Sequence, residues 1–279
     1  MSAPTLSHER IRADGARPSA WLYLLHGIFG AGRNWGSIAR GLVARRPDWG
    51  AVLVDLRGHG GSTGFGPPHT VRAAAADLAA LVGPGDAADS AKVAAHAVLG
   101  HSFGGKVALA YAESVPAALV QTWLIDSTPA ARPPEGSAWR MLAALEDLRG
   151  PFTSRRDAVQ ALVEWGFAAG VAQWMSSNLG RGSSGLTWRV EPGTMRALLE
   201  DFFGLDLWPV LEAPPPAPPV QVVRATESDV LPAADARRVR ELGERWGRVR
   251  LHEVAGGHWL NADNPRAIVD LLARELPPA

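Results

Sequence analysis

The chain has 279 residues, 47% of them hydrophobic, enough to bury a sizeable core in one large domain carrying an insertion. Lys and Arg together number 28, as do Asp and Glu, so no net field gathers nucleic acid or an anionic membrane, and a small-molecule partner is favoured. The absence of cysteine excludes disulfides, a thiolate nucleophile and cysteine-ligated metal.

Met1 to Ala20 is polar and contains Glu9 and Asp14, without the basic-then-apolar order of a signal segment. No apolar run reaches the roughly 20 residues of a membrane span, so a cytoplasmic protein is the expectation. Trp21 to Leu25 reads as a buried strand ending at His26-Gly27, and Trp35 to Ala44 has helical spacing. A second strand, Gly50 to Val54, ends at Asp55. An Ala-rich helix over Thr70 to Val82, a strand over Ala94 to Leu99, a helix over Lys106 to Ser114 and a strand over Val120 to Ile125 follow. Continuous apolar strands alternating with helices predict a parallel sheet covered on both faces, with ligands at the carboxyl ends of the strands.

Beyond Pro129 the pattern changes. No clear strand is visible, and Ala138 to Leu148, Asp157 to Trp174 and Pro192 to Phe203 read as helices, broken at Pro151 and at Gly180 to Gly185. The Pro-rich stretch Ala213 to Val220 reads as a stiff return linker. The sheet then resumes at Val220 to Val223. A helix over Ala233 to Trp246, a strand over Val249 to Val254 and a helix from Pro265 behind an Asn264 cap complete the chain. The expected division is a core of 1–128 and 214–279 with a helical cap insertion of 129–213.

Gly100-His101-Ser102-Phe103-Gly104 has the Gly-x-Ser-x-Gly pattern between a strand and a helix, the context this motif demands. A serine on so sharp a turn needs neighbours without side chains, and its hydroxyl then projects above the sheet. Ser102 is the candidate nucleophile of an acyl transfer. Backbone N–H groups of Phe103 and of Ile28, in the loop His26 to Gly30, are candidates for holding an oxyanion. Gly256-Gly257-His258-Trp259 follows the last strand, where a general base comes in the chain order nucleophile, acid, histidine. His101 points away on the turn and is expected to pack, His252 to be an ordinary strand residue, and Asp55 to Ser62, with His59, to brace the site. Two acids are open, Asp126 at the end of a strand and Asp229 after the next.

The motifs His-Gly-x-x-Gly, Arg-Gly-His-Gly-x-Ser, Gly-His-Ser-Phe-Gly-Gly-Lys and Gly-Gly-His-Trp, in this order, resemble the α/β-hydrolase superfamily over nearly the whole chain. The segments His26 to Trp35, Leu124 to Pro129, Gln173 to Leu179 and Trp188 to Val190 look like one subgroup, that of small bacterial esterases and mitochondrial abhydrolase-domain-containing proteins. The resemblance implies the α/β-hydrolase fold and hydrolysis of carboxylic esters or acyl thioesters with no cofactor and no metal. It also implies that Ser228 stands where most superfamily members carry the acid and that Asp126 takes its place, with Asp229 as the rival. The Pro-rich linker departs from the subgroup. Trp139, Trp165, Phe167, Trp174 and Met175 are candidates for an acyl pocket. Carbon–carbon hydrolysis or a menaquinone-pathway type of elimination uses the same serine and histidine with added polar anchors, for which Arg140, Arg155, Arg156, Arg181 and Arg189 are available. A ligand receptor on the same scaffold is a third reading.

Overall fold

The computed structural model describes residues 4–82, 95–114 and 118–279. Ala94, where the third strand was expected to begin, and the first three residues of the polar N-terminus lie outside them.

The sheet holds seven strands among the described residues: β1 (His8–Ile11), β2 (Ala20–Leu25), β3 (Trp49–Val54), β4 (Ala95–His101), β5 (Leu119–Ile125), β8 (Val220–Ala225) and β9 (Val249–Val254), in the order β1-β3-β2-β4-β5-β8-β9. All neighbours are parallel except β1, which pairs with β3 antiparallel, His8 opposite Val54. β1 has no counterpart in the sequence reading. Its HERI sequence is short and exposed at the sheet edge, so it carries no apolar run.

Side chains alternate between the faces. Leu22 and Leu24 of β2 enter one buried cluster with α1 (Gly36–Arg45) and α11 (Pro265–Glu275), while Tyr23 and Leu25 enter the other with α2 (Val71–Val82) and α3 (Phe103–Glu113). Residues Phe103 to Ala112 of α3 are all buried, so this helix is apolar nearly all round, with one lysine in it. α9 (Ala233–Trp246) packs beside β9, and α10 (Leu260–Asp263) leads into α11, whose first turn is capped by Asn264 Oδ1 accepting from the Ala267 N–H at 3.3 Å.

Between β5 and β8 lie α4 (Ser137–Asp147), α5 (Arg155–Glu164), α6 (Ala169–Met175), the hairpin β6 (Leu179–Arg181) and β7 (Leu186–Trp188), α7 (Pro192–Gly204) and α8 (Trp208–Glu212). Three expectations change here. The single helix over Asp157 to Trp174 is two, because Gly166 at φ +109° turns the chain between α5 and α6. The glycine-rich break is the turn of a three-residue antiparallel hairpin, too short for periodicity to register. The last turns before the Pro-rich linker form α8, which the neighbouring prolines hide. Met141, Leu145, Leu162, Met175 and Leu198 from this segment are buried in the α2–α3 face of the core, so the segment packs continuously onto that face.

Candidate active site

Ser102 sits between β4 and α3 with φ 51° and ψ −117°. An L-residue held there costs about 1–3 kcal/mol, and the surrounding bonds over-determine it. Its N–H donates to the Ile125 carbonyl at 3.1 Å, and its own carbonyl accepts from the Gly105 N–H at 2.9 Å and the Ser127 hydroxyl at 2.7 Å. The flanking glycines are steric necessities: a Cβ on Gly100 would fall on the Gly104 carbonyl, and one on Gly104 would lie 2.6 Å from the His26 carbonyl oxygen. Phe103 begins α3, so its N–H is one of the orphan donors of a helix N-terminus directly after the serine.

His258 follows β9 on a loop in which Gly256 has φ +139°. Its Nδ1 donates to Asp126 Oδ2 at 2.7 Å, which leaves Nε2 as an acceptor. Asp126 follows β5 with φ 41° and is wholly buried. Three donors converge on its carboxylate: His258 Nδ1, the Ser228 hydroxyl at 2.6 Å on the same oxygen, and the Ala225 N–H at 3.1 Å on the other. Asp229 is exposed, one residue past the serine that touches Asp126. The carboxylate brought to His258 is therefore that of Asp126.

His101 does more than pack. It is buried, its Nε2 donates to the His258 carbonyl at 2.7 Å, its ring lies 4.5 Å from that of His258, and it contributes to the cavity wall. Sequence reasoning placed it away from the site; the signal missed was its partner, 157 residues on. Burial pushes its pKa down to about 3, so it is neutral in the folded protein. His252 is a strand residue on β9, bonded to Gln221 at 2.7 Å.

The loop after β2 is shaped by a reciprocal pair of histidines. The Leu56 N–H donates to His26 Nε2 at 3.0 Å, and the Phe29 N–H donates to His59 Nε2 at 3.1 Å. Each ring uses its Nδ1–H on a nearby carbonyl, Gly27 at 2.7 Å and Arg57 at 3.0 Å, which fixes both tautomers. Burial lowers His26 to about 4 and His59 to about 3, so both rings stay neutral acceptors. With the Phe29 N–H committed to His59, and that residue held at φ 61°, Ile28 precedes it at the cavity wall. Asp55 completes the brace, accepting from the Gly32 N–H at 2.7 Å and the Gly61 N–H at 2.8 Å.

Ser102 and His258 open into one cavity of about 730 Å³, between the strand ends and the helices α4 and α6. Of the aromatic and sulfur side chains considered for a pocket, Phe167 and Trp174 line it, with Met141. Met175 is buried core, Trp139 packs edge-on to Phe203, and Trp165 stacks behind Phe167 at 5.5 Å. Trp174 meets Trp259 at 5.5 Å across the wall. Among the described residues no cluster of three His, Asp or Glu side chains offers a metal site, and no helix is long and apolar enough to cross a membrane.

This elbow and sheet order define an α/β-hydrolase fold. The family model described as "Alpha/beta hydrolase family" matches residues 22–271, and the chain belongs to that family. Among curated proteins it is similar to the sn-1-specific diacylglycerol lipase ABHD11 of Xenopus tropicalis, 29% identical over 260 residues covering 90% of this chain and 76% of that protein. The protein of the same name from Mus musculus is 24% identical, covering 95% and 83%. The solved structure of a marine microorganism esterase superposes with a TM-score of 0.78 at 21% identity, over 96% of this chain and 98% of that one.

Proposed function

We propose that this protein is a serine hydrolase that cleaves carboxylic esters or acyl thioesters, with Ser102 as nucleophile, His258 as general base and Asp126 as the orienting acid. The observation that carries the reading is the His258 Nδ1–Asp126 Oδ2 hydrogen bond of 2.7 Å, which leaves Nε2 free to accept on a ring that lines the same cavity as Ser102. His258 takes the Ser102 proton as its oxygen attacks the acyl carbon, and Asp126 stabilises the imidazolium so formed. The N–H groups of Phe103 and Ile28 hold the oxyanion, each worth about 3 kcal/mol of barrier. The protonated His258 then gives its proton to the leaving alcohol or thiol, and a water activated by the same ring cleaves the acyl-enzyme. The segment 129–213 acts as a cap that roofs the acyl pocket, and the ester-cleaving relatives agree with an ester substrate.

The test is hydrolysis of p-nitrophenyl esters from acetate to palmitate by wild type and Ser102→Ala, with circular dichroism confirming that both are folded. Activity confined to the wild type supports the reading, and its chain-length optimum sizes the pocket. A folded wild type inert on every ester and on acyl thioesters overturns it.

A further inference from the structure

The cavity wall has an uneven chemistry. None of its lining residues is Asp or Glu, and most are apolar or small. Its imidazoles His26 and His101 are held neutral by burial, and the ring of His258 is committed to Asp126. One permanent charge remains in the wall, the guanidinium of Arg140 on α4.

Of the five arginines named above as candidate polar anchors, Arg140 alone lines the cavity. Arg155 spends its guanidinium on the Ser176 and Leu179 carbonyls, Arg189 lies against Gly180, and Arg156 and Arg181 are exposed outside the wall. Arg140 is exposed at the cavity wall, its guanidinium carbon 5.5 Å from the centroid of the Phe167 ring in a cation–π contact. The carboxylates of the same helix are engaged elsewhere: Glu146 pairs with Arg196 at 2.5 Å, and Asp147 accepts from Trp165 Nε1 at 3.2 Å. Among the described residues no carboxylate forms an ion pair with Arg140. A wall with one unneutralised cation and no anion raises the local concentration of anionic ligands and penalises cationic ones.

Resting on the serine-hydrolase reading above, we infer that the substrate carries an anionic group, a carboxylate or a phosphate, which docks on Arg140 in the cap wall. The charge stands either at the far end of the acyl chain or on the leaving group. Arg140 is thus a specificity-determining residue, and it selects among acyl compounds by charge rather than by length.

The experiment measures kcat/KM for two matched pairs. In the first the charge is on the acyl part, the p-nitrophenyl monoester of adipic acid against p-nitrophenyl hexanoate. In the second it is on the leaving group, hexanoyl-coenzyme A against the hexanoyl thioester of N-acetylcysteamine. Each is run with wild type, Arg140→Gln and Arg140→Lys. The expected result is that wild type favours the anionic member of one pair, that the preference falls about tenfold in Arg140→Gln, and that Arg140→Lys and raised salt weaken it less. The pair that responds tells which part of the substrate bears the charge. Equal charged-to-neutral ratios in wild type and Arg140→Gln overturn the inference while leaving the hydrolase reading intact. If wild type turns over none of the four, the hydrolase reading is judged separately by the acetate-to-palmitate series, and calorimetric binding of adipate and of coenzyme A to Ser102→Ala and to Ser102→Ala/Arg140→Gln decides the inference. Several-fold weaker binding in the double variant supports it, and equal binding sinks it.

Discussion

One oxygen of Asp126 accepts both from His258 and from Ser228, and the other is held by the Ala225 N–H. A carboxylate so saturated is fixed in orientation and in turn fixes the imidazole tautomer with Nδ1 protonated. An asparagine at 126 presents an amide with a donor of its own, so the ring loses the tautomer that leaves Nε2 free. Asp126→Asn is therefore expected to lower kcat by about ten-thousandfold, while Asp229→Asn, at an exposed position, changes it by less than about twofold. Steady-state kinetics on the best p-nitrophenyl ester measures both, and the opposite pattern would move the acid to Asp229. Ser228 gives a physical reason for the pairing: its hydroxyl donates to the carboxylate, where a second carboxylate would repel it.

At the scale of elements, the device that joins the sheet to the segment between β5 and β8 is Lys106. It lies on the buried helix α3, one turn after the serine, and its ammonium donates to three carbonyls: Ala130 at 2.8 Å, just after β5, and Phe202 at 2.6 Å and Leu205 at 2.7 Å, at the end of α7. Both ends of that segment are thus tied to the helix that follows the Ser102 turn, and Phe202 lies under the charge, 4.6 Å from ring centroid to nitrogen. Burial pulls the Lys106 pKa down to about 8, the sign of a cation taken from water. Lys106→Met keeps the stem length but orphans three carbonyls. The expected outcome is a loss of about 2–4 kcal/mol of unfolding free energy in urea titrations, with a KM increase that exceeds the fall in kcat. An unchanged midpoint and KM would show that both ends of the segment hold without it.

For the whole molecule, the buried neutral histidines set the response to acid. His26, His59 and His101 have folded pKa values of about 4, 3 and 3, below the usual 6.5 of an unfolded chain. Below pH 6.5 the unfolded chain binds protons that the folded protein refuses, so stability is present above that pH and is lost as pH falls toward 4. With three such groups the slope approaches three protons, about 4 kcal/mol per pH unit near pH 5. Urea midpoints across pH 5 to 7 measure it; a flat profile would mean that the rings are hydrated or charged in the native state.

Most of this architecture is legible along the chain. The inner strands β2, β3, β4 and β5 are largely apolar, as burial on both faces of a parallel sheet demands, while β8 (VQVVRA) and the edge strand β9 (VRLHEV) mix polar residues among the apolar ones. The elements that escaped, β1, the β6–β7 hairpin and α8, are short, edge-placed or flanked by Gly and Pro, and draw their order from neighbours rather than from their own periodicity. Within the site, the Ser102 turn is written in five consecutive letters, although the Gly104 position also answers to the distant His26 carbonyl on the loop after β2. Which carboxylate faces His258, why Phe29 rather than Ile28 is bound to His59, what His101 touches and which arginine reaches the cavity rest on contacts that span from 30 to 157 residues. Sequence by itself determined the sheet, the turn and the placement of candidate groups at its strand ends, because those follow from local sterics and burial. Only the tertiary structure decided the partners, because a hydrogen bond between distant loops is set by the packing of the elements that carry them.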